Sequence, residues 1–245
     1  MTTAGAPALP VGADPVLEAA FVTGDFDAAD RALADRLAVA RGAGERGAEA
    51  ALLHWQAMAL HYRAIDAGLS SLAPETIEAE EALFTEALGL RRSIDDRAGV
   101  AESLFGLGLV HQVLRGDWDA AEPYFFEALT EADEHADLLT RSETHRHVGF
   151  FHLVVTDRHD VAVGHLRHSL ALRQELGDPR LLATASLALG QALLVAGERS
   201  EGVAVLRESV EQAGSGRLRP LWATMTADWL RRAEAGETPS FARTA

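Results

Sequence analysis

The sequence has no cysteine, no lysine and no asparagine in its 245 residues. Without cysteine, disulfides, thiolate nucleophiles and Cys-ligated zinc are excluded. Without lysine, Schiff-base catalysis and the lysine of a P-loop are excluded. All 22 basic residues are arginine and stand against 37 acidic ones, so the formal net charge is −15. Nucleic acid and anionic membranes are therefore disfavoured as partners, because both attract basic faces.

Long hydrophobic runs are missing as well. No window of about 18 uncharged apolar residues suggests a membrane span, and residues 1–13 (MTTAGAPALPVGA) have neither a basic region nor an apolar core typical of a secretory signal. A Gly-rich phosphate loop, a Gly-x-Ser-x-Gly elbow and a His-Glu-x-x-His motif are also missing. We therefore expect a cytoplasmic protein without a recognisable catalytic motif.

The residues that are abundant favour helices. Alanine, leucine, arginine and glutamate dominate, and all four are good helix formers. Proline is sparse, with 8 residues, and the β-branched or aromatic runs typical of strands do not occur. The composition predicts an all-α protein.

One stretch, from Leu104 to Leu129, shows how the helices are arranged. It reads as two amphipathic helices joined by a tight turn at Gly116-Asp117. The first helix carries a small residue, Gly108, among large apolar ones. A small residue there allows two helices to approach closely, while apolar residues three or four positions away fill the space around the contact.

This pattern recurs about every 41 residues. The glycines Gly108, Gly149 and Gly190 are 41 residues apart. The turns follow the same period, at Gly116, Asp157 and Gly197. Recurrence at a fixed period indicates helical pairs that bury their apolar faces by stacking on one another.

The residues at the repeated positions resemble the tetratricopeptide repeat (TPR). The resemblance rests on Trp55-x-x-Met58-Ala59-x-x-Tyr62 and on Leu104-x-x-Leu107-Gly108-x-x-His111 followed by Gly116-Asp117-Trp118-Asp119-x-Ala121. The 41-residue period is longer than the usual 34 of that family and is similar to a long-repeat bacterial type. The resemblance implies a right-handed α-solenoid of about five antiparallel helix pairs plus a C-terminal capping helix. It covers residues 14–234 as a single domain, with a disordered tail at 1–13 and a flexible tail at 235–245.

In such an array the first helix of each pair lines a concave groove, and the resemblance implies which residues face it. The candidate binding residues are Arg63, Glu102, Phe105, Leu109, His111, Gln112, Glu143, Arg146, His147, Phe150, His152 and Gln191. Thr184, Leu187 and Leu194 belong to the same face. Polar groups of both signs mixed with apolar ones suit a peptide or a partner helix. A solvated groove without a ligand is the alternative.

The segment from Arg141 to His152 concentrates the titratable side chains. Glu143 and His147 share a helix face, because they are four residues apart. They could form a metal site with Glu102, a general acid–base pair, or a pH-sensitive surface. The plainer interpretation makes Glu143 and His147 an i,i+4 surface pair. In that interpretation His111, His145 and His152 only fill space between helices.

Other charged and histidine-rich positions have plainer explanations. The pairs His54/His61 and His165/His168 could each bind adventitious nickel or zinc, but all four histidines are expected to face solvent. The acidic run in the helix that starts near residue 75 is expected to be a solvated face, with a basic partner as the sharper alternative. It contains Glu75, Glu78, Glu80, Glu81 and Glu86.

Three functions remain open at this point. The first is a peptide- or protein-binding scaffold or adaptor, in which Arg63 and Arg146 anchor carboxylates while Phe105, Leu109 and Phe150 make apolar contacts. The second is an enzyme, or a protein that binds a small molecule or metal, with a site between the third and fourth repeats. That site would contain Glu102, His111, Glu143, His147 and His152. The third is a sensor domain detached from a larger regulator. No cofactor is predicted, and the oligomeric state is left open, with a homodimer among the possibilities.

Overall fold

The computed structural model describes residues 23–69, 72–215, 218, 220–238 and 240–241. The tail predicted at 1–13 and the first residues of the domain predicted over 14–234 lie outside these residues. The described residues form ten α-helices and no strand, so the prediction of an all-α protein is confirmed. None of these helices has the length and apolar character needed to cross a membrane.

The helices are labelled here in chain order. They are α1 (Phe26–Ala43), α2 (Arg46–Ala67), α3 (Pro74–Ser93), α4 (Arg97–Leu109), α5 (Trp118–His135), α6 (Leu138–Val154), α7 (His159–Leu176), α8 (Pro179–Val195), α9 (Arg199–Ser215) and α10 (Pro220–Glu234).

Aspartates begin several of these helices by capping their first turn. The side chain of Asp96 accepts a hydrogen bond from the Gly99 amide, and that of Asp117 accepts one from the Ala120 amide. Each bond satisfies one of the amides that a helix N-terminus leaves without an intrahelical partner. Asp117 directly follows Gly116, so the tight turn predicted at Gly116-Asp117 is confirmed.

The three turn positions predicted from the repeat share one backbone conformation. Gly116, Asp157 and Gly197 have φ angles of 67°, 54° and 85°. Only glycine adopts this left-handed region freely, and aspartate is among the few other residues that tolerate it. The recurrence seen in the sequence is therefore a recurrence of chain geometry.

Contacts divide the chain between Asp137 and Leu138 into two compact units, which are described separately. In the N-terminal unit, each of the helices α1 to α4 packs on the next helix of that unit. In the C-terminal unit, which comprises the described residues from Leu138 onward, α6 to α9 do the same. Packing of adjacent helices is the predicted arrangement. The single domain predicted over 14–234 stays a prediction.

Each unit has an apolar core where its helices meet. In the N-terminal unit Leu37, Leu53 and Ala87 join α1, α2 and α3. In the C-terminal unit Leu187 and Leu206 belong to a core that Trp229 of α10 also contacts, so the last helix packs on the pair before it.

The chain departs from a regular helix at the end of α4. Val110–Leu114 form a π-helical turn, in which the Val110 carbonyl accepts a hydrogen bond from the Arg115 amide at 3.1 Å. The His111 carbonyl accepts from the Asp117 amide at 2.8 Å, which ties this turn to the cap of α5. The spacing of apolar residues did not predict this π-helical turn. The turn changes which backbone groups are hydrogen-bonded, but it leaves the same helix face buried.

Candidate binding site

A cavity in the C-terminal unit lies among α6, α8 and α10, which are alternate helices of that unit. Its walls are formed by Arg146, Phe150, Thr184, Leu187, Ala188, Gln191 and Trp222. Its volume is about 10 Å³, which is the space for one water-sized group. Pockets that enclose cofactors or drug-sized ligands typically measure about 300–1,000 Å³. The cavity therefore suits one backbone group or the end of one side chain, and not a whole small molecule.

Gln191 is the most unusual residue of this cavity. Its side chain is fully buried, yet neither its amide oxygen nor its amide nitrogen has a hydrogen-bond partner. The indole Nε1 of Trp222, another wall residue, is also buried without a partner. Burying a polar group without a hydrogen bond costs free energy. Two donors and an acceptor are thus available to a ligand at one place.

Two further wall residues, Arg146 and Phe150, are cationic and aromatic. The guanidinium carbon of Arg146 lies 5.9 Å from the centre of the Phe150 ring, close enough for a cation–π contact. Both side chains are buried. Of the predicted groove residues, the structure brings Arg146, Phe150 and Gln191 together here, with Thr184 and Leu187 beside them.

Glu143 joins the wall residue Arg146 and Arg173 in a buried ionic network. One Glu143 oxygen accepts from Arg146 at 2.9 Å and the other accepts from Arg173 at 2.5 Å. Arg173 also donates to the hydroxyl of Thr184 at 2.7 Å and to the Leu181 carbonyl at 3.0 Å. The network connects α6, α7 and α8 and fixes the position of Arg146.

This network alters the roles predicted for Glu143 and His147. Both residues are buried, so their interpretation as a surface pair is wrong. Arg146 donates to Nε2 of His147 at 2.7 Å; since a guanidinium only donates, that nitrogen must accept. Burial raises the pKa of Glu143, but Arg146 and Arg173 outweigh it and hold this pKa below its ordinary value. With these nitrogen and oxygen atoms already engaged by arginines, the donor set does not favour a metal at Glu143 and His147.

Arg173 and its counterpart Arg91 were not singled out from the sequence. Arg91 donates to the Gly99 carbonyl at 2.8 Å and to the hydroxyl of Ser103 at 2.8 Å. The two arginines are 82 residues apart, twice the repeat length, and each holds the first turn of the following helix. Their spacing could have indicated a shared role. However, the residue halfway between them, 41 positions from each, is Ala132, so arginine does not recur in every repeat.

Histidines of α6 pack against α7, as the plainer interpretation proposed for them. Nδ1 of His145 lies 2.9 Å from Nδ1 of His165, and the ring of His152 stacks on His165 with 5.7 Å between the ring centres. Because one of the two facing nitrogens must donate, the pair requires a defined tautomer. His165 is half-buried and His168 exposed, so solvent exposure holds for His168 only.

In the N-terminal unit, some predicted groove residues are already paired within the protein. Arg63 donates to Asp30 at 2.6 Å and to Asp27 at 3.1 Å. Glu102 accepts from Arg91 at 2.5 Å. A carboxylate ligand would have to replace Asp27 and Asp30 to reach Arg63.

The remaining groove candidates of this unit lie in or near its core. Phe105, Leu109 and Gln112 are buried. The ring of His111 stacks on Tyr124 with 5.3 Å between the ring centres. Burial and the nearby Arg115 lower the pKa of His111. The part of these positions in binding stays a prediction.

Two histidines expected at the surface are buried instead, together with one acid of the run in α3. His54 and His61 are 6% and 1% exposed, and Glu80 is fully buried. Nδ1 of His61 lies 2.8 Å from one oxygen of Glu80, while the other oxygen has no partner. The prediction that these three residues face solvent is wrong. For the two histidines, a seven-residue spacing places both on one helix face but does not say whether that face is exposed or buried.

Replacing Glu80 with glutamine is expected to leave the free energy of unfolding unchanged, or to raise it by up to about 1 kcal/mol, at neutral pH. Burial raises the pKa of Glu80, and His61 offsets this only in part. Because the pKa of Glu80 is higher in the folded than in the unfolded chain, Glu80 stabilises the fold fully at a pH below its unfolded pKa. This contribution is lost as the pH rises through its folded pKa. Denaturant titrations at pH 5 and pH 8 should therefore differ less in Glu80→Gln than in the wild type. Glu78→Gln, an exposed change on the same helix, should retain the wild-type difference.

No known protein family matches the sequence, and a search of curated proteins finds no significant relative.

Proposed function

We propose that this chain is a non-catalytic helical-repeat protein that binds an extended segment of a partner protein at the cavity of the C-terminal unit. The observation that carries the proposal is the buried Gln191 carboxamide, whose donor and acceptor both lack partners. A carboxamide offers the same donor and acceptor as a peptide group and can bond to both of its polar atoms. A cavity for one such group suits a backbone that lies across it.

The flanking side chains agree with a peptide ligand. Phe150 and Trp222 supply aromatic surface, which is enriched where proteins bind one another. Arg146 supplies a cation that Glu143 holds in place. An aromatic wall, a carboxamide and a fixed cation together suit a segment with one apolar side chain and a backbone to be hydrogen-bonded.

The TPR-like architecture is part of this proposal. It comprises a right-handed α-solenoid of about five pairs with a capping helix, a role as scaffold or adaptor in bacterial regulation, and a location in the cytoplasm. It is supported by the 41-residue period of the sequence and by the packing of adjacent helices within each unit. An enzyme or a small-molecule carrier is less favoured, because the cavity is too small and Glu143 already binds two arginines.

Replacing Gln191 with leucine is expected to separate binding from folding. Leucine has a similar volume and removes the two unpartnered polar atoms, so the free energy of unfolding should stay the same or rise by about 1 kcal/mol. Peptides selected from a random display library on the wild type should bind Gln191→Leu about tenfold more weakly, the loss expected for one to two hydrogen bonds. Isothermal titration and denaturant unfolding measure the two effects.

Gln174→Leu provides the matched control, since Gln174 is an exposed glutamine on α7 of the same unit. It should bind the selected peptides as the wild type does. The proposal fails if the library yields no peptide that prefers the wild type over Gln191→Leu, or if both proteins bind the selected peptides equally.

A further inference from the structure

The chain does not leave the C-terminal unit when α10 ends. Arg199, near the start of α9, donates to the carbonyls of Ala233, Gly236 and Glu237 at 2.7, 2.8 and 3.1 Å. It also bonds to the hydroxyl of Thr238 at 3.0 Å. One guanidinium thus fixes the backbone of three residues and the side chain of a fourth, at and beyond the end of α10.

A second contact lies a few residues further on, at the cavity itself. The ring of Phe241 packs on the ring of Phe150, with 6.2 Å between the ring centres and 57° between the planes. This distance and tilt are typical of a favourable aromatic pair. Phe150 is a wall residue of the cavity, so the described part of the segment reaches the edge of the proposed peptide site.

We infer that the chain beyond α10, described at Gly236–Thr238 and Ser240–Phe241, is a built-in competitor that occupies the Phe150 side of the peptide site and must leave when a partner binds. The inference rests on the proposed function, since it names the ligand class of that same site. The segment has the chemistry expected of such a ligand: small polar residues at Thr238 and Ser240, followed by an aromatic ring at Phe241. The partner is therefore expected to present an aromatic side chain that takes the place of Phe241 on Phe150.

A tethered segment competes strongly even when its own affinity is low. A short tether gives an effective concentration on the order of 1 mM, so a segment with a Kd of about 0.1 mM would occupy the site in about nine molecules of ten. The apparent affinity for a free peptide equals the intrinsic affinity multiplied by the fraction of sites that are not covered. Releasing the segment should therefore raise peptide affinity about tenfold.

The first experiment asks whether the segment is seated, without using any ligand. The chain has no cysteine, so a nitroxide on Ser240→Cys in the full-length protein labels one position only. Electron paramagnetic resonance should report restricted motion of the label. Arg199→Met should make it mobile, because the anchoring hydrogen bonds are lost. Arg207→Met is the control, since Arg207 is an exposed arginine of the same helix that pairs with the Glu234 side chain instead.

The second experiment measures competition. Its probe is a labelled synthetic peptide with the sequence of residues 236–245, GETPSFARTA. Fluorescence anisotropy should show this peptide binding to full-length Phe241→Ala about tenfold more tightly than to the wild type. A peptide with alanine in place of its phenylalanine should not bind either protein.

The outcomes separate this inference from the proposed function. A label that is already mobile in the wild type overturns the inference, while the display library still decides whether peptides bind. A restricted label with equal affinities of wild type and Phe241→Ala shows a structural anchor and also overturns it. Restricted motion, release in Arg199→Met and tighter binding by Phe241→Ala together support it.

Discussion

Glu143→Gln is expected to lower the free energy of unfolding by about 3–5 kcal/mol, the loss typical when one partner of a buried ion pair is removed. Arg173 is fully buried and Arg146 is 3% exposed, so both guanidinium groups would keep their charge without the carboxylate that compensates it. Glutamine matches the size of glutamate, so the loss reports charge and not a cavity. Urea or guanidinium denaturation at pH 7 measures the difference.

Two further variants establish that the network causes this loss. Glu175→Gln removes an exposed carboxylate from α7 and should change the free energy of unfolding by less than about 0.5 kcal/mol. Adding Arg173→Met to Glu143→Gln removes one uncompensated charge and should recover part of the loss, since residues of one network are not additive. A loss below about 1 kcal/mol for Glu143→Gln alone would contradict a fully buried charge network.

Glu143 also determines how part of the protein's stability changes with pH. Because Arg146 and Arg173 hold the pKa of Glu143 below its ordinary value, its stabilising contribution is present above the pKa of the unfolded chain. That contribution is lost as pH falls through the lower folded value. Glu80 has the opposite sign, since burial raises its pKa. Two buried glutamates therefore respond oppositely to pH, because one faces two guanidinium groups and the other faces a single imidazole.

The fold was predictable because its main determinants repeat. Gly108, Gly149 and Gly190 report the close helix contact three times, and one period in the sequence explains all three. The turn before α5 was predictable from Gly116-Asp117, because turn formation and capping are local interactions. The π-helical turn at Val110–Leu114 was not, since it occurs once and leaves the apolar pattern unchanged.

The candidate site was predictable only where it follows the repeat. Arg146, Phe150 and Gln191 were placed on one face by their register on the first helices, and they do line one cavity. Trp222 lies in the helix predicted as a C-terminal cap, and Phe241 lies in the tail predicted as flexible. Neither their approach to the cavity nor the fixing of the chain by Arg199 follows from any period, because these are single long-range contacts.

Burial of charge was the property that the sequence predicted least well. Glu80, Glu143 and Arg173 look like ordinary surface residues of amphipathic helices, yet all three are buried. A helix between two neighbours has little surface left for solvent, so polar residues near its apolar stripe become enclosed. They are tolerated when they pair, as Glu143 and Arg173 do at 2.5 Å.

Gly108→Ala is expected to lower the free energy of unfolding by about 2 kcal/mol. A Cβ atom at this position would overlap the ring of Phe125, which is fully buried and held by α4 and α5. The ring would have to move or the helices separate, and either loses packing throughout the contact. Thermal or denaturant unfolding of the single variant measures the loss. Adding Phe125→Leu should make Gly108→Ala less costly, because the smaller side chain leaves room for the methyl group.

Replacing a glycine with alanine at an exposed helix position should instead raise the free energy of unfolding. Gly89 lies on the exposed side of α3, and a Cβ atom there would meet nothing within 4 Å. Alanine is the better helix former, so Gly89→Ala should raise the free energy of unfolding by about 1 kcal/mol. The two variants make the same chemical change in helices of one unit, so their difference isolates the close contact from helix propensity. If Gly108→Ala also stabilises the protein, helix approach does not require a glycine there, and the 41-residue recurrence of glycine needs a different physical cause.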